Sequence, residues 1–573
     1  MKISTLISVF LLVAAVFLLL SYLFRNVLAG DSIIHLIYGR NLAHGRFMQF
    51  NADELSFGSS SIIWTAISAI PYIFQADDYT AIYIQKALSI LVFLVCIIWL
   101  RRSRFFQSGK IEYVVLVVYW LGLSKFIQFA TVGMETPLAI LLLLFVINNT
   151  FNLLAWIESF WGTSRSDVRI PQQWWLSVTA RFLAGGVCSG LLILTRLELA
   201  IVAIMVIAFL LMSGLYWRNM NSGGSATSNG GALWVLGPVG LYVLGMSITV
   251  APYLGYMYYL TGSFVSSSAI SRLYLAQNQL NSAIHLAGSF YLNTKLVVFG
   301  LVNFSLIIAA AVALAAALKP GIFHSDVASG MVPGNMFPNK TPLSASAFTT
   351  VLCICIIIVL GFYFLLVFPG FQGARYFMPV LALIVVWAAK GVVVISKWLS
   401  ERLRLSPIFA GSCLVGFGLL SHGVFNQLYT PMVFQRPDRV SYEEIARYIS
   451  GNIPAGKSIL AYEVQVKIHL PNHRIIAEDG VTDGIVLRYY EKYPDPARAI
   501  EQFLLEVRPD FVIAGYPRKA QTPRIKNTLL GILQTHAREE TAPGQTIWLS
   551  DRIGATEVYK ALDLEKLYLM TYR

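Results

Sequence analysis

The chain has 573 residues, of which 56% are hydrophobic and only 13% charged, with a formal net charge of +13 and a mean hydropathy of +0.64. Soluble domains carry about a quarter charged residues, so this composition excludes an ordinary soluble protein and points to a polytopic membrane protein. In such a chain a basic balance reports orientation before it reports nucleic acid, because Lys and Arg collect in cytoplasmic loops.

A membrane-crossing helix needs about 20 apolar residues. Stretches of that kind run near 4–24, 80–100, 111–127, 132–150, 178–195, 198–217, 232–258, 297–318, 347–368, 377–396 and 406–427, about eleven in all. The first is too long for a cleavable signal, and no small-residue cleavage site stands out after it. The segment SSSIIWTAISAIPYIF, residues 59–74, is short, contains Pro71 and is followed by Asp77 and Asp78. Charge decides how it lies. If it rests flat in the interface, Arg101, Lys110, Arg165, Arg169, Arg218, Lys319, Lys340 and Lys397 all share one side with Met1 and Lys2. If it spans, the clusters at Arg101 and Lys397 move to the other side. The positive-inside rule favours the first arrangement. It predicts a cytoplasmic N-terminus, an odd number of spans and an external C-terminus.

The stretches 221–231 and 320–346 are rich in Gly, Ser and Pro and read as cytoplasmic linkers. From about residue 431 the pattern changes. The stretch YEEIARYISGNIPAGKSILAYE alternates a helical pattern with a short apolar run, and RIIAED and DFVIAG, bounded by turn residues, read as further buried strands. The expectation is a transmembrane catalytic domain over 1–430, with a first external loop at 26–79, and an extracytoplasmic α/β domain over 431–573. The five cysteines sit in apolar runs and behave as small hydrophobes. Cys353 and Cys355 face different sides of a helix, and no disulfide framework or metal motif is readable.

Ionisable groups beside spans are costly unless they face a cavity. In this topology Asp31, Glu135, Arg196, Glu198, Arg272, His285, Arg375 and Tyr376 all fall on the external side. Bland readings stand beside each. Asp31 suits a helix cap, Glu135 precedes Pro137 at a helix start, and Arg196 and Glu198 could merely pair across a tight turn. Arg375 could snorkel to the interface, and His285 reads best as a loop residue. Taken together, carboxylates and arginines on one face fit a site for an anionic, membrane-embedded substrate. A guanidinium offers phosphate two parallel hydrogen bonds, and a carboxylate among arginines can act as a base.

The stretch GDSIIHLIYGRNLAHGRFMQFNADELSFGSSSIIW, residues 30–64, resembles the first external loop of the GT-C superfamily of membrane glycosyltransferases. The nearest resemblance is to bacterial arabinofuranosyltransferases that use polyprenyl-phosphate sugars. Asp31, Tyr38, Arg40, Asn41, Asn51, Gly58, Ser61 and Trp64 carry it, with GMETPL (133–138), LTRLE (194–198), ARYFMP (374–379) and VRPDFVIA (507–514) in the same order. The family's pair of aspartates stands here as Gly30–Asp31.

The resemblance implies a GT-C fold with juxtamembrane helices, one of them at 59–74, and an active site at the outer face of a bacterial inner membrane. It implies Asp31 as the catalytic carboxylate. Glu135, Arg196, Glu198, Arg272, Arg375, Tyr376, His35, Arg40 and Asn41 would bind the phosphate and sugar of a polyprenyl-phosphate donor. The acceptor would be an envelope glycan, a glycolipid or a surface protein. Asp31 and Glu135 could hold a divalent cation, although no ligand spacing demands one. The alternative class is a transporter or lipid flippase. Against it stand the absence of matched repeats in the two halves and the placement of the charges at the outer face instead of mid-membrane.

Overall fold

The computed structural model describes residues 30–264 apart from 53, 107–109, 163–171 and 222–229, then 266, 270, 291, 304–318, 344–367 and 374–429. Beyond these it describes 446–447, 449–451, 454–461, 464–477, 482, 484–493, 495–507, 509–516, 546–548, 553–557 and 566–572. The predicted span at 4–24, Arg272, His285 and most of both linkers lie outside the described residues.

Thirteen helices precede residue 430 among the described residues. They are α1 (Gly30–Ala43), α2 (Ile62–Ile73), α3 (Asp78–Arg102), α4 (Lys110–Gly122), α5 (Ser124–Thr131), α6 (Thr136–Gly162) and α7 (Gln172–Thr195). After a 3-10 turn at Leu197–Leu199 come α8 (Ala200–Asn221), α9 (Gly230–Thr261), α10 (Phe304–Leu318), α11 (Ala345–Val367), α12 (Ala374–Leu403) and α13 (Pro407–Tyr429). Seven of the described helices are long and apolar enough to cross a bilayer, or eight if the bent pair α4–α5 is one span. The axes of that pair differ by 66°, so the run read as one span at 111–127 breaks near Leu123.

The segment at 59–74 forms only α2, twelve residues long with Pro71 near its end. Its length is about 18 Å, well short of a hydrocarbon core of about 30 Å. Ser61 starts it by accepting a hydrogen bond from the Trp64 amide. Asp77 does the same for α3 through the Thr80 amide at 2.7 Å.

Helix packing in lipid gains little from the hydrophobic effect, so close backbone approach matters. Gly186 on α7 meets the Tyr242 carbonyl of α9, and Gly245 on α9 meets the Leu183 carbonyl of α7, so closely that neither leaves room for a Cβ. Gly39 on α1 is pressed in the same way onto the backbone of Ser68 in α2.

The C-terminal part holds a six-stranded sheet in the order β2-β1-β3-β6-β5-β4. Its strands are β1 (Ser458–Ala461), β2 (Arg474–Ala477), β3 (Phe511–Tyr516), β4 (Thr546–Trp548), β5 (Ile553–Glu557) and β6 (Lys566–Tyr572), with α14 (Gly484–Lys492) and α15 (Pro496–Val507) between β2 and β3. β1 pairs in parallel with β2 and β3, whereas β4, β5 and β6 form an antiparallel extension. The three runs read as strands in the sequence are β1, β2 and β3.

This sheet does not sit apart. Ile33, Leu36, Ile37 and Tyr38 of α1 share one buried cluster with Ile459, Ile475 and Ile468 of the C-terminal part. Helix α1 therefore belongs to both halves of the predicted division at residue 431.

Candidate active site

Helix α1 places Asp31 in its first turn and His35 one turn later. Residues four apart on a helix share a face, so both side chains look toward the same neighbours. Asp31 forms an ion pair with the Arg375 guanidinium, which opens α12 from the far end of the chain. The Asp31 side chain keeps 27% of its surface exposed, against 13% for Arg375. Arg375 also donates to the Tyr376 hydroxyl at 2.8 Å. Its Nε is buried with no acceptor among the described residues.

Arg196 lies behind that pair. Its Nε donates to Glu198 Oε1 at 2.6 Å, so the local pairing across the turn is real. It also reaches further. One terminal nitrogen donates to the Arg375 main-chain carbonyl at 3.1 Å and stands 3.7 Å from Glu135 Oε1. Its guanidinium carbon lies 4.4 Å from the Tyr376 ring centroid, and that of Arg375 lies 4.8 Å from the same ring. Two cations thus share one aromatic ring.

Glu135 is buried at the turn before α6. Gly133 makes that turn with φ +77°, a left-handed conformation that suits glycine. The Trp64 indole donates to the Gly133 carbonyl at 3.0 Å and fixes the turn against α2. Ser32 and Ser89 bind the neighbouring carbonyls of Val132 and Met134. Burial works to raise the Glu135 pKa, but the hydrogen bond to His35 and the charge of Arg196 outweigh it and hold the carboxyl down at about 2.

His35 Nε2 stands 3.5 Å from Glu135 Oε2. On its other side Nδ1 meets Ser59 Oγ at 3.0 Å and Thr65 Oγ1 at 3.2 Å. Those two hydroxyls bond each other at 2.7 Å. Ser59 and Thr65 were not among the predicted residues. Neutral hydroxyls carry no cost signal near a span, and only the SSS run at 59–61 marked the place.

Asp31, His35, Glu135, Arg196, Glu198, Arg375 and Tyr376 therefore form one connected network. Arg40 and Asn41, expected beside them, do not join it. Arg40 donates to both Asp78 oxygens, at 3.1 and 3.0 Å, and to the Ile468 and Lys467 carbonyls at 2.8 and 3.4 Å. Asn41 donates to the carbonyls of Gln49 and Phe50. They sit at the other end of α1, where their donors are spent on holding the first loop and the C-terminal sheet. Arg272 lies outside the described residues. No three His, Cys, Asp or Glu side chains converge as a metal-ligand set among the described residues.

No family model matches the sequence, and no curated protein matches it. Among solved structures, the chain is similar to ArnT from Cupriavidus metallidurans, whose crystal structure was obtained bound to undecaprenyl phosphate. The TM-score is 0.50 and the identity 12%, over 88% of this chain and 93% of that one. The likeness and the apolar helices together make this a polytopic membrane protein with an ArnT-like fold.

Proposed function

We propose that the chain is an inverting GT-C glycosyltransferase that moves a sugar from a polyprenyl-phosphate donor to an acceptor hydroxyl. The observation that supports this reading most is the meeting of Asp31 with Arg375, with Arg196 and Glu135 immediately behind. A carboxylate and guanidiniums at the ends of apolar helices suit an anionic lipid headgroup and a proton transfer beside it.

In the proposed reaction the acceptor oxygen attacks the anomeric carbon and gives its proton to Asp31. The bond from that carbon to the phosphate oxygen breaks, and its electron pair leaves with polyprenyl phosphate. Arg375, together with Arg272, stabilises the charge that grows on the leaving oxygen. Tyr376 and Glu198 hold the arginines, and His35 and Glu135 face the sugar from the α1 side. The resemblance of the first loop favours arabinofuranose as the sugar and an envelope glycan, glycolipid or surface protein as acceptor. It also favours a site at the outer face of the bacterial inner membrane.

The test is release of polyprenyl phosphate by the purified protein from polyprenyl-phosphate sugars. Asp31→Asn should lower that rate by about 10²–10⁴-fold, the usual worth of a general base. Undiminished turnover in this variant, or vesicle uptake of the lipid with no cleavage by the wild type, would overturn the assignment.

A further inference from the structure

From the pairing of Asp31 with Arg375 we infer that the donor phosphate and the Asp31 carboxylate compete for the same guanidinium, so that donor binding is what frees the base. The inference rests on the proposed polyprenyl-phosphate donor and deepens it.

Three observations carry it. First, Arg375 holds Asp31 as its ion-pair partner. A carboxylate with one oxygen held by a guanidinium is a weaker base toward an incoming hydroxyl. Second, Arg375 is the guanidinium with donor capacity to spare, since its buried Nε has no acceptor among the described residues. A buried donor left without a partner marks a place where an acceptor oxygen belongs. A phosphate presents several such oxygens and would take both edges of the fork, which a single carboxylate in the present position does not.

Third, Arg196 is already committed. Glu198 and Glu135 balance its charge, the Tyr376 ring covers one face, and it donates to the main chain of Arg375 itself. Its role is to position: it pins the start of α12 so that the Arg375 side chain can change partner while its backbone stays fixed. Tyr376 serves both cations and marks the ring across which Arg375 can slide.

The exchange makes acceptor activation conditional on the donor. With no lipid bound, the base is neutralised and a hydroxyl compound gains nothing by entering. With the phosphate on Arg375, Asp31 is released within reach of the anomeric carbon.

The experiment measures equilibrium binding of undecaprenyl phosphate, with no sugar and no acceptor, to the full-length protein in lipid nanodiscs. Competition predicts that Asp31→Asn binds this probe about tenfold more tightly than the wild type, because the phosphate no longer displaces a carboxylate. In an Arg375→Gln background the same Asp31→Asn change should have no effect on affinity. Glu54→Gln removes one negative charge of the first loop that pairs with Arg474 and not with Arg375, and it should tighten binding by less than about twofold. Asp31→Ser repeats the first comparison if the Asn variant folds poorly. Unchanged or weaker binding in the Asp31 variants would overturn the exchange while leaving the donor assignment intact. Equal tightening by Glu54→Gln would also overturn it, because bulk charge would then explain the effect. A wild-type protein that fails to bind undecaprenyl phosphate would remove both the exchange and the donor class.

Discussion

Helix α1 is only fourteen residues long, yet its two ends treat polar groups in opposite ways. At the Arg40 end, donors are spent on carbonyls and a carboxylate. Arg40 serves Asp78 and two main-chain oxygens, Tyr72 adds its hydroxyl to Asp78 at 2.9 Å, and Asn51 exchanges two hydrogen bonds with Ile475. At the Asp31 end, Arg375 Nε is buried without an acceptor among the described residues, while His35 Nε2 and Glu135 Oε2 have only each other, 3.5 Å apart. Satisfied polar groups hold a structure together, and buried groups left wanting mark where something else is meant to bind. The difference between clamp and site is therefore sharpest at Arg375, whose buried Nε has no acceptor among the described residues, since both ends carry similar residue types.

Mutations at the two ends should separate along the same line. The largest effect belongs to Asp31→Asn, which on the proposed function should lower transfer by about 10²–10⁴-fold but shift thermal stability by less than about 1 kcal/mol, since the pair is partly exposed. A melt in detergent that drops as far as the activity would erase the distinction.

At the clamp, Arg40→Ala strands two carbonyls and leaves Asp78 with Tyr72 alone. It should cost about 2–3 kcal/mol of stability, read as faster hydrogen exchange in α1 and in the 464–477 region together. Protection lost in only one of them would show that the two do not form a unit.

Acid should act on the site more than on the clamp. The folded-state pKa of Glu135 lies at about 2, below its ordinary value of 4.5. Its contribution is then complete above about pH 4.5 and drains away as the pH falls toward 2, on the order of 1–3 kcal/mol. Glu135→Gln should flatten that window. Asp510, held down at about 2 chiefly by the Ser458 amide, titrates over a similar range. Its effect is smaller because it is more open to solvent, and Asp510→Asn measures it separately.

The smallest expected change is Asn51→Ala. Asn51 accepts from the Ile475 amide at 3.0 Å and donates to the Ile475 carbonyl at 2.8 Å. It thereby covers the outer edge of β2, which ends the sheet. Its loss should cost about 1–2 kcal/mol, seen as a lower midpoint in chemical unfolding.

Much of this molecule was legible in the sequence because lipid leaves few options. An uninterrupted apolar run of span length forms a helix, so the runs from 80 onward reappear as α3 to α13, with 111–127 broken in two. An ionisable group beside a span is expensive, so Asp31, Glu135, Arg196, Glu198 and Arg375 stood out before any contact was known. Arg40 was expected at the site through the resemblance of the first loop, and the structure places it in the clamp. A charged residue announces that it needs a partner but not which one, and its partners Lys467 and Ile468 lie more than 400 residues away. Ser59 and Thr65 were silent because hydroxyls are cheap in either role. Strands β4 to β6 were not read, and β4 is only three residues long, too short for an alternating pattern to show.

The shared cluster of α1 with Ile459, Ile468 and Ile475 bears on how such proteins can be rebuilt. Trimming the chain near residue 431 would not yield a smaller working core. It would bare a greasy flank of the helix that presents Asp31, and the orphaned piece would tend to aggregate. Chimaeras that graft a relative's tail should keep the whole first loop with it as one cassette, cutting before Gly30 and after Asp78.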